Sequence, residues 1–291
     1  MTQNLSPTPP RKIAVALVQT SSHRDIQANM REVREAVLQA QEKLQERHPN
    51  LPKLILTPEN VLMIEPDTSR ALRQAQTESD HQGIKFFADL AKQTQATILA
   101  GSLSIRHDSK EKLSNRSYLF NPSGQTIAQY SKIHLFDVDL PNGETYRESN
   151  LYVAGGEAIL HENPMGKFGL TICYDIRFAM LYRALARAGA EVIFVPAAFT
   201  ATTGRAHWHV LLRARAIECG CFILAPAQTG THAEGRQTYG HSLVINPWGE
   251  ILADGGDAIG VVTAEIDLAE VAATRARIPS LQHDRNFLVS A

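Results

Sequence analysis

The chain has 291 residues, 44% of them hydrophobic, which suffices for a sizeable core and excludes global disorder. Its 29 lysines and arginines balance 30 aspartates and glutamates, and no run of one sign forms the basic footprint of a nucleic-acid binder. Three cysteines (Cys173, Cys219 and Cys221) are too few for a disulfide framework, and the longest apolar run, 192–199, is far shorter than the ~20 residues of a membrane span.

In chain order, the proline-rich segment 1–11 reads as a disordered leader without the apolar stretch of a secretory signal. Residues 12–291 read as one domain, because nothing after residue 12 has a linker's composition. A strand is expected over 13–19. Ser22 can cap a helix, with Asp25 as its capping-box partner, and Ile26, Met30, Val33, Val37, Ala40 and Leu44 then form one apolar stripe. A strand over 54–57, a helix over 82–93 and a strand over 97–102 follow. Strands 117–120 and 126–131 form a hairpin around a turn at 121–124. Residues 136–156 show no period, and an irregular stretch of that length is usually functional or disordered. Beyond it come a strand over 168–173, a helix over 178–188, a strand over 191–196 and a helix over 205–218 ended by Gly220. Strands at 222–225, 242–246, 251–254 and 261–266 close the chain. Alternating strands and helices indicate α/β layers, and the late strands add antiparallel pairs.

Cys173 ends an apolar strand and stands before an expected helix. That junction would aim N–H groups and a helix dipole at the sulfur, favouring thiolate. A free cysteine is commonly just a small buried hydrophobe, but Tyr174, Asp175 and Arg177 crowd this strand end with polar groups. A nucleophilic cysteine needs a base and an oxyanion stabiliser. Two constellations can supply them. One pairs Cys173 with a histidine: His134, His207, His209 or His241. The other pairs it with Glu59 and Lys132, each at the end of an apolar strand, where active sites of α/β sheets collect.

The stretches Pro58-Glu59-Asn60, Tyr130-Ser131-Lys132-Ile133-His134-Leu135-Phe136-Asp137 and Gly169-Leu170-Thr171-Ile172-Cys173-Tyr174-Asp175-Ile176-Arg177-Phe178 resemble the three signature motifs of the nitrilase (carbon–nitrogen hydrolase) superfamily. They occur in that family's order and spacing. Ala206-His207-Trp208, residues 213–218, Gly240-His241-Ser242 and Asn246-Pro247-Trp248-Gly249 extend the resemblance to about residues 12–287. Three ordered motifs are far more specific than any lone pattern. Tyr146-Arg147-Glu148-Ser149, Ala198-Phe199 and Thr203-Gly204 resemble the Nit branch, which hydrolyses ω-amides.

The resemblance implies a four-layer αββα sandwich, dimerising into αββααββα or assembling further. It implies an amidase that releases ammonia from a small carboxylate-bearing ω-amide, with deaminated glutathione as first choice and α-ketoglutaramate as second. N-carbamoyl hydrolysis, nitrile hydrolysis and a non-catalytic interaction module on the same fold are the other readings. Cys173 would be the nucleophile, Glu59 the base, Lys132 the cation for thiolate and oxyanion, Glu148 the carboxylate that orients Lys132, and the Tyr174 N–H a second oxyanion donor. Arg177, four residues after Cys173 and so on the same face of a helix, suits a substrate carboxylate; a salt bridge to Asp175 is its plainer role. Phe199 and Thr203 would line the same pocket. Met180, Arg205 and His209 depart from the branch's pattern. His134, His207 and His241 are expected to be structural, Arg213 and Arg215 ion-paired, Cys219 and Cys221 inert, and Leu211, Leu212 and Ile217 core. No cofactor or metal motif appears, and a cytoplasmic protein is expected.

Overall fold

The computed structural model describes residues 11–107 and 111–290. The expected leader therefore lies, apart from Arg11, outside the described residues; Arg11 accepts a hydrogen bond from Leu268 and pairs with Glu191.

The first half holds β1 (Lys12–Gln19), α1 (Ile26–Arg47), β2 (Lys53–Leu56), α2 (Thr68–Gln74), α3 (Gln82–Thr94), β3 (Thr97–Arg106), β4 (Leu113–Phe120) and β5 (Thr126–Ser131). A ribbon of β6 (Asp137–Asp139) and β7 (Thr145–Arg147) leads to the second half. There follow β8 (Ile159–Asn163), β9 (Gly166–Leu170), α4 (Ala179–Arg187), β10 (Val192–Phe194), α5 (Ala201–Cys219) and β11 (Phe222–Ala225). The chain ends in β12 (Thr229–Thr231), β13 (Gln237–Tyr239), β14 (Leu243–Ile245), β15 (Ile251–Asp254), β16 (Gly260–Asp267) and α6 (Ala269–Arg277).

Two mixed six-stranded sheets form, in the orders β16-β1-β2-β3-β4-β5 and β15-β14-β11-β10-β9-β8. Within them β1, β2 and β3 run parallel, as do β9, β10 and β11. Strand alternation assigns the two faces. Ile13, Val15 and Leu17 join Leu54 and Leu56 in the core shared with the second sheet. Ala14, Ala16 and Val18, with Ile55, pack under α1 and α3 instead. Both faces are covered, so the strand reads as a continuous apolar run. With α4 and α5 packed on the second sheet, the layers are αββα, the architecture the resemblance implies.

Several boundaries moved for local reasons. Asp25 caps α1, accepting from the N–H groups of Gln27 and Ala28 at 2.9 and 3.0 Å. Ser22 is not the cap: it donates to the Val61 carbonyl at 2.8 Å. Val33, Val37, Ala40 and Leu44 are buried, while Ile26 and Met30 are only partly so and pack on the same cluster. Thr200 caps α5, so that helix begins four residues before the expected 205 and ends, as expected, at left-handed Gly220. Ile217 is not core: it is 52% exposed. The segment 136–156 contains the β6–β7 ribbon and a 3-10 turn, Glu148–Asn150.

Candidate active site

Glu59 lies just beyond the C-terminal end of β2. Its approach is set by Gly101 in β3, where a Cβ would fall 2.0 Å from the Thr57 carbonyl oxygen and 2.2 Å from that of Pro58. Lys132 follows β5, held through its N–H to Asn115 O at 2.9 Å and its carbonyl to Gly155 N at 2.8 Å. Cys173 lies past β9, whose pairing to the neighbouring strand continues through Thr171 N to Phe194 O and Cys173 N to Pro196 O. Its φ of +47° is a left-handed conformation that a non-glycine residue holds only under constraint.

A helix dipole does not act on the sulfur as the sequence suggested. Cys173–Arg177 is a 3-10 turn, and α4 starts only at Ala179. Asp175, fully buried, clamps this turn. It accepts from Ile172 N at 2.8 Å, Tyr130 OH at 2.7 Å and His134 N at 3.0 Å, with His134 Nδ1 2.7 Å away.

Lys132 and Glu59 are 2% and 3% exposed. Lys132 Nζ donates to Glu59 Oε1 at 2.8 Å and to Glu148 Oε1 and Oε2 at 3.1 and 2.9 Å. Asn115 Nδ2 bridges the two carboxylates at 2.9 and 3.1 Å, and the Ala198 N–H holds Glu59 Oε2 at 2.8 Å. Burial drives Glu59 upward, but Lys132, Cys173 and the Ala198 N–H together hold its carboxyl below the usual range. Burial likewise pushes Lys132 down, and the charges of Glu148 and Glu59 outweigh it and raise the ammonium well above its ordinary value. The Cys173 thiol is pushed well up by burial and by Glu59, against Lys132. The resting proton is therefore on sulfur, with Glu59 ionised beside it. That leaves Glu59 available as a base.

Glu59, Lys132, Glu148, Cys173, Tyr174, Phe199 and Thr203 line one cavity of about 510 Å³. Arg177 does not line it. Its guanidinium lies over the Tyr174 and Phe199 rings at 5.7 and 5.3 Å, and its Nη2 is 3.2 Å from His207 Nδ1. It makes no salt bridge to Asp175, and the i+4 argument fails because a 3-10 turn advances about 120° per residue.

Among the described residues, no histidine lines the cavity, which leaves the Cys–His constellation without a base. His134 is structural, stacked on Phe178 at 3.5 Å. His209 and His241 flank Asp254 at 3.3 and 2.9 Å; these three could hold a metal by proximity, away from the cavity. Met180 and Arg205 are exposed. Arg215 pairs with Glu218, but Arg213 donates to the Gly249 carbonyl rather than to a carboxylate. Cys219 and Cys221 are free and buried.

Three contributors escaped the sequence reading. Asn115 could have been found by extending the hairpin register, which sets Arg116 against Ser131 and hence Asn115 against Lys132. The Ala198 N–H is a backbone group with no residue signal. Arg236 reaches the cavity from the β12–β13 connection, with its Nη2 donating to the Ala198 carbonyl at 2.9 Å.

The carbon–nitrogen hydrolase family model matches residues 14–276. The deaminated glutathione amidase of a Synechocystis sp. is 47% identical over 234 residues, covering 79% of this chain and 85% of that protein. That of Yersinia enterocolitica is 37% identical over 273 residues, covering 93% and 92%. The crystal structure of the C. elegans NitFhit protein superposes with a TM-score of 0.85 at 34% identity, covering 96% of this chain and 66% of that one. Saccharomyces cerevisiae Nit3 gives a TM-score of 0.81 at 28% identity, covering 92% and 94%. The chain belongs to the carbon–nitrogen hydrolase family, in the Nit branch of the nitrilase superfamily, and hydrolyses C–N bonds as an amidase.

Proposed function

We propose that this amidase uses Cys173 as nucleophile, Glu59 as acid–base and Lys132 as electrostatic stabiliser, and that its substrate is deaminated glutathione. The observation that carries the mechanism is the buried Glu59–Lys132–Glu148 array sharing a histidine-free cavity with Cys173. Sγ attacks the amide carbon while its proton passes to Glu59. Lys132 and the Tyr174 N–H stabilise the oxyanion. Glu59 returns the proton to the leaving nitrogen, the C–N bond breaks and a thioester remains. Glu59 then deprotonates a water that attacks the thioester, and the departing sulfur regains its proton. Glu148 keeps Lys132 charged and oriented. Phe199 and Thr203 would serve as pocket walls, and Arg177, outside the cavity, would steady the Tyr174 and Phe199 rings it stacks on.

The substrate reading rests on the relatives named deaminated glutathione amidase. Its chemistry modifies one expectation. α-Ketoglutaramate is a primary amide and releases ammonia, whereas deaminated glutathione is a secondary amide and releases the dipeptide cysteinylglycine. Both yield α-ketoglutarate, so that product is the one to follow. A higher kcat/KM for deaminated glutathione than for α-ketoglutaramate is expected. The reverse order would make the protein an α-ketoglutaramate amidase, and turnover only of carbamoyl compounds or nitriles would overturn both.

The ionisation pattern predicts a broad pH profile. A base is active when deprotonated, and Glu59 is held below the usual carboxylate range, so activity is lost only as pH falls through that depressed value. The alkaline limb waits for Lys132 or Cys173, both raised. kcat/KM is expected to stay flat between about pH 5.5 and 8.5, where a Cys–His pair would show an imidazole limb.

Met180, Val210, Ile217 and Trp248 are 86%, 67%, 52% and 49% exposed, on or beside α4 and α5. Such an apolar face fits a second copy of the chain. A monomeric mass in solution light scattering would refute that. The free, buried cysteines suit the reducing cytoplasm, and among the described residues no helix is long and apolar enough to cross a membrane.

A further inference from the structure

We propose that Arg236 determines specificity for the leaving group, by receiving a carboxylate carried on the amine that departs. The inference rests on the functional reading above.

Arg236 is a cation in the active cavity without a counter-ion. Among the described residues no carboxylate lies within 4.0 Å of its guanidinium, and its Nε is buried with no hydrogen-bond partner. With Nε covered and Nη2 on the Ala198 carbonyl, the Nη1 end of the fork is the part left to meet an acceptor that arrives with the substrate. The other arginine lining the cavity is already engaged: Arg147 grips Asp139 at 2.7 and 2.9 Å.

The backbone is arranged to deliver this side chain. Glu234 and Gly235, immediately before it, both have positive φ, +57° and +79°. The turn is closed by His232 N to Arg236 O at 2.8 Å and braced by the ion pair between Arg24 and Glu234. Arg236 then lies over the Tyr146 ring, 5.4 Å from its centroid, with Nη2 on the Ala198 carbonyl. Both partners line the cavity.

Ala198 also ties Arg236 to the group that protonates the leaving nitrogen. Its N–H holds Glu59 Oε2 at 2.8 Å and its carbonyl holds Arg236 Nη2 at 2.9 Å. Glu59 protonates the departing nitrogen, so the guanidinium lies within about 10 Å of that oxygen, by the bond lengths of one residue and two hydrogen bonds. That reach accommodates a dipeptide leaving group ending in a carboxylate. Ammonia leaves this subsite empty.

The test compares wild type with Arg236→Gln and Arg236→Lys, following α-ketoglutarate release. The substrates are deaminated glutathione, its C-terminally amidated analogue and α-ketoglutaramate. A charge-assisted hydrogen bond predicts that Arg236→Gln lowers the ratio of kcat/KM for deaminated glutathione over α-ketoglutaramate by about 10- to 100-fold. The loss should fall mainly on KM, with partial recovery in Arg236→Lys. Amidating the terminus should cost wild type a similar factor and cost Arg236→Gln almost nothing further. Equal losses on both amides would overturn the inference, placing Arg236 behind Glu59 through Ala198, or on the acyl-side carboxylate. An unchanged ratio would also overturn it. Wild type inactive on all three would instead sink the substrate reading, and this inference with it.

Discussion

Replacing Cys173 with alanine is expected to abolish amide hydrolysis, with a loss of roughly 10⁴-fold or more, the scale of removing a nucleophile. The fold should survive, because Cys173 is a small side chain at the end of a strand whose backbone is held through Pro196. Cys219 and Cys221 are 0% exposed, so a thiol-alkylating reagent should label wild type at one site and the variant at none. Labelling should be slow near neutrality, since burial and Glu59 keep the Cys173 proton on sulfur, and substrate should slow it further. Full turnover in Cys173→Ala would end the covalent mechanism. An unreactive Cys173 in wild type would revive the reading of a non-catalytic module.

The second large effect is at Lys132, on activity and stability together. Lys132→Met leaves Glu59 and Glu148 facing each other without the cation between them. Breaking a buried ion pair by removing one partner costs about 3–5 kcal/mol. For a domain of this size that corresponds to a fall in Tm of roughly 5–8 °C. The sign with pH follows from the carboxylates. In wild type the depressed Glu59 contributes stability that is present above its unfolded value and lost as pH falls through the folded one. Without Lys132 the two glutamates gain protons more readily, so the deficit of the variant should shrink toward acid pH. Adding Glu148→Gln should recover part of the stability and none of the activity. Thermal unfolding and α-ketoglutarate release at several pH values read both. Retained activity in Lys132→Met, with loss in His134→Ala or His207→Ala, would reinstate a Cys–His mechanism.

The chain order made much of this legible. The continuous apolar runs of β1 and β2, the stripe of α1 and the hairpin of β4 and β5 are local patterns, and local patterns survive in a sequence because each is set by neighbours a few residues away. The same holds for Glu59, Lys132 and Cys173, each marked by an abrupt polar residue at the end of an apolar run. Elements whose reason is tertiary were harder to read. The ribbon β12–β13 is three residues a side, and α2 and α6 are short helices, so neither periodicity nor length singles them out. Arg177 was misplaced because a helix was assumed where a 3-10 turn stands.

By itself, the sequence determined the layer pattern, the ordered motifs and the identity of the groups that carry charge. Those depend on residue type and on spacing along the chain. Only the tertiary structure decided the protonation state and the roles around it. Burial and Glu59, outweighing Lys132, keep the proton on Cys173, and that balance depends on desolvation and on distances near 3 Å between residues up to 139 positions apart. It likewise decided that Ala198, by a backbone N–H and carbonyl, links Glu59 to Arg236. A backbone group carries no side-chain signature, and its partners are set by how two sheets and a distant loop meet.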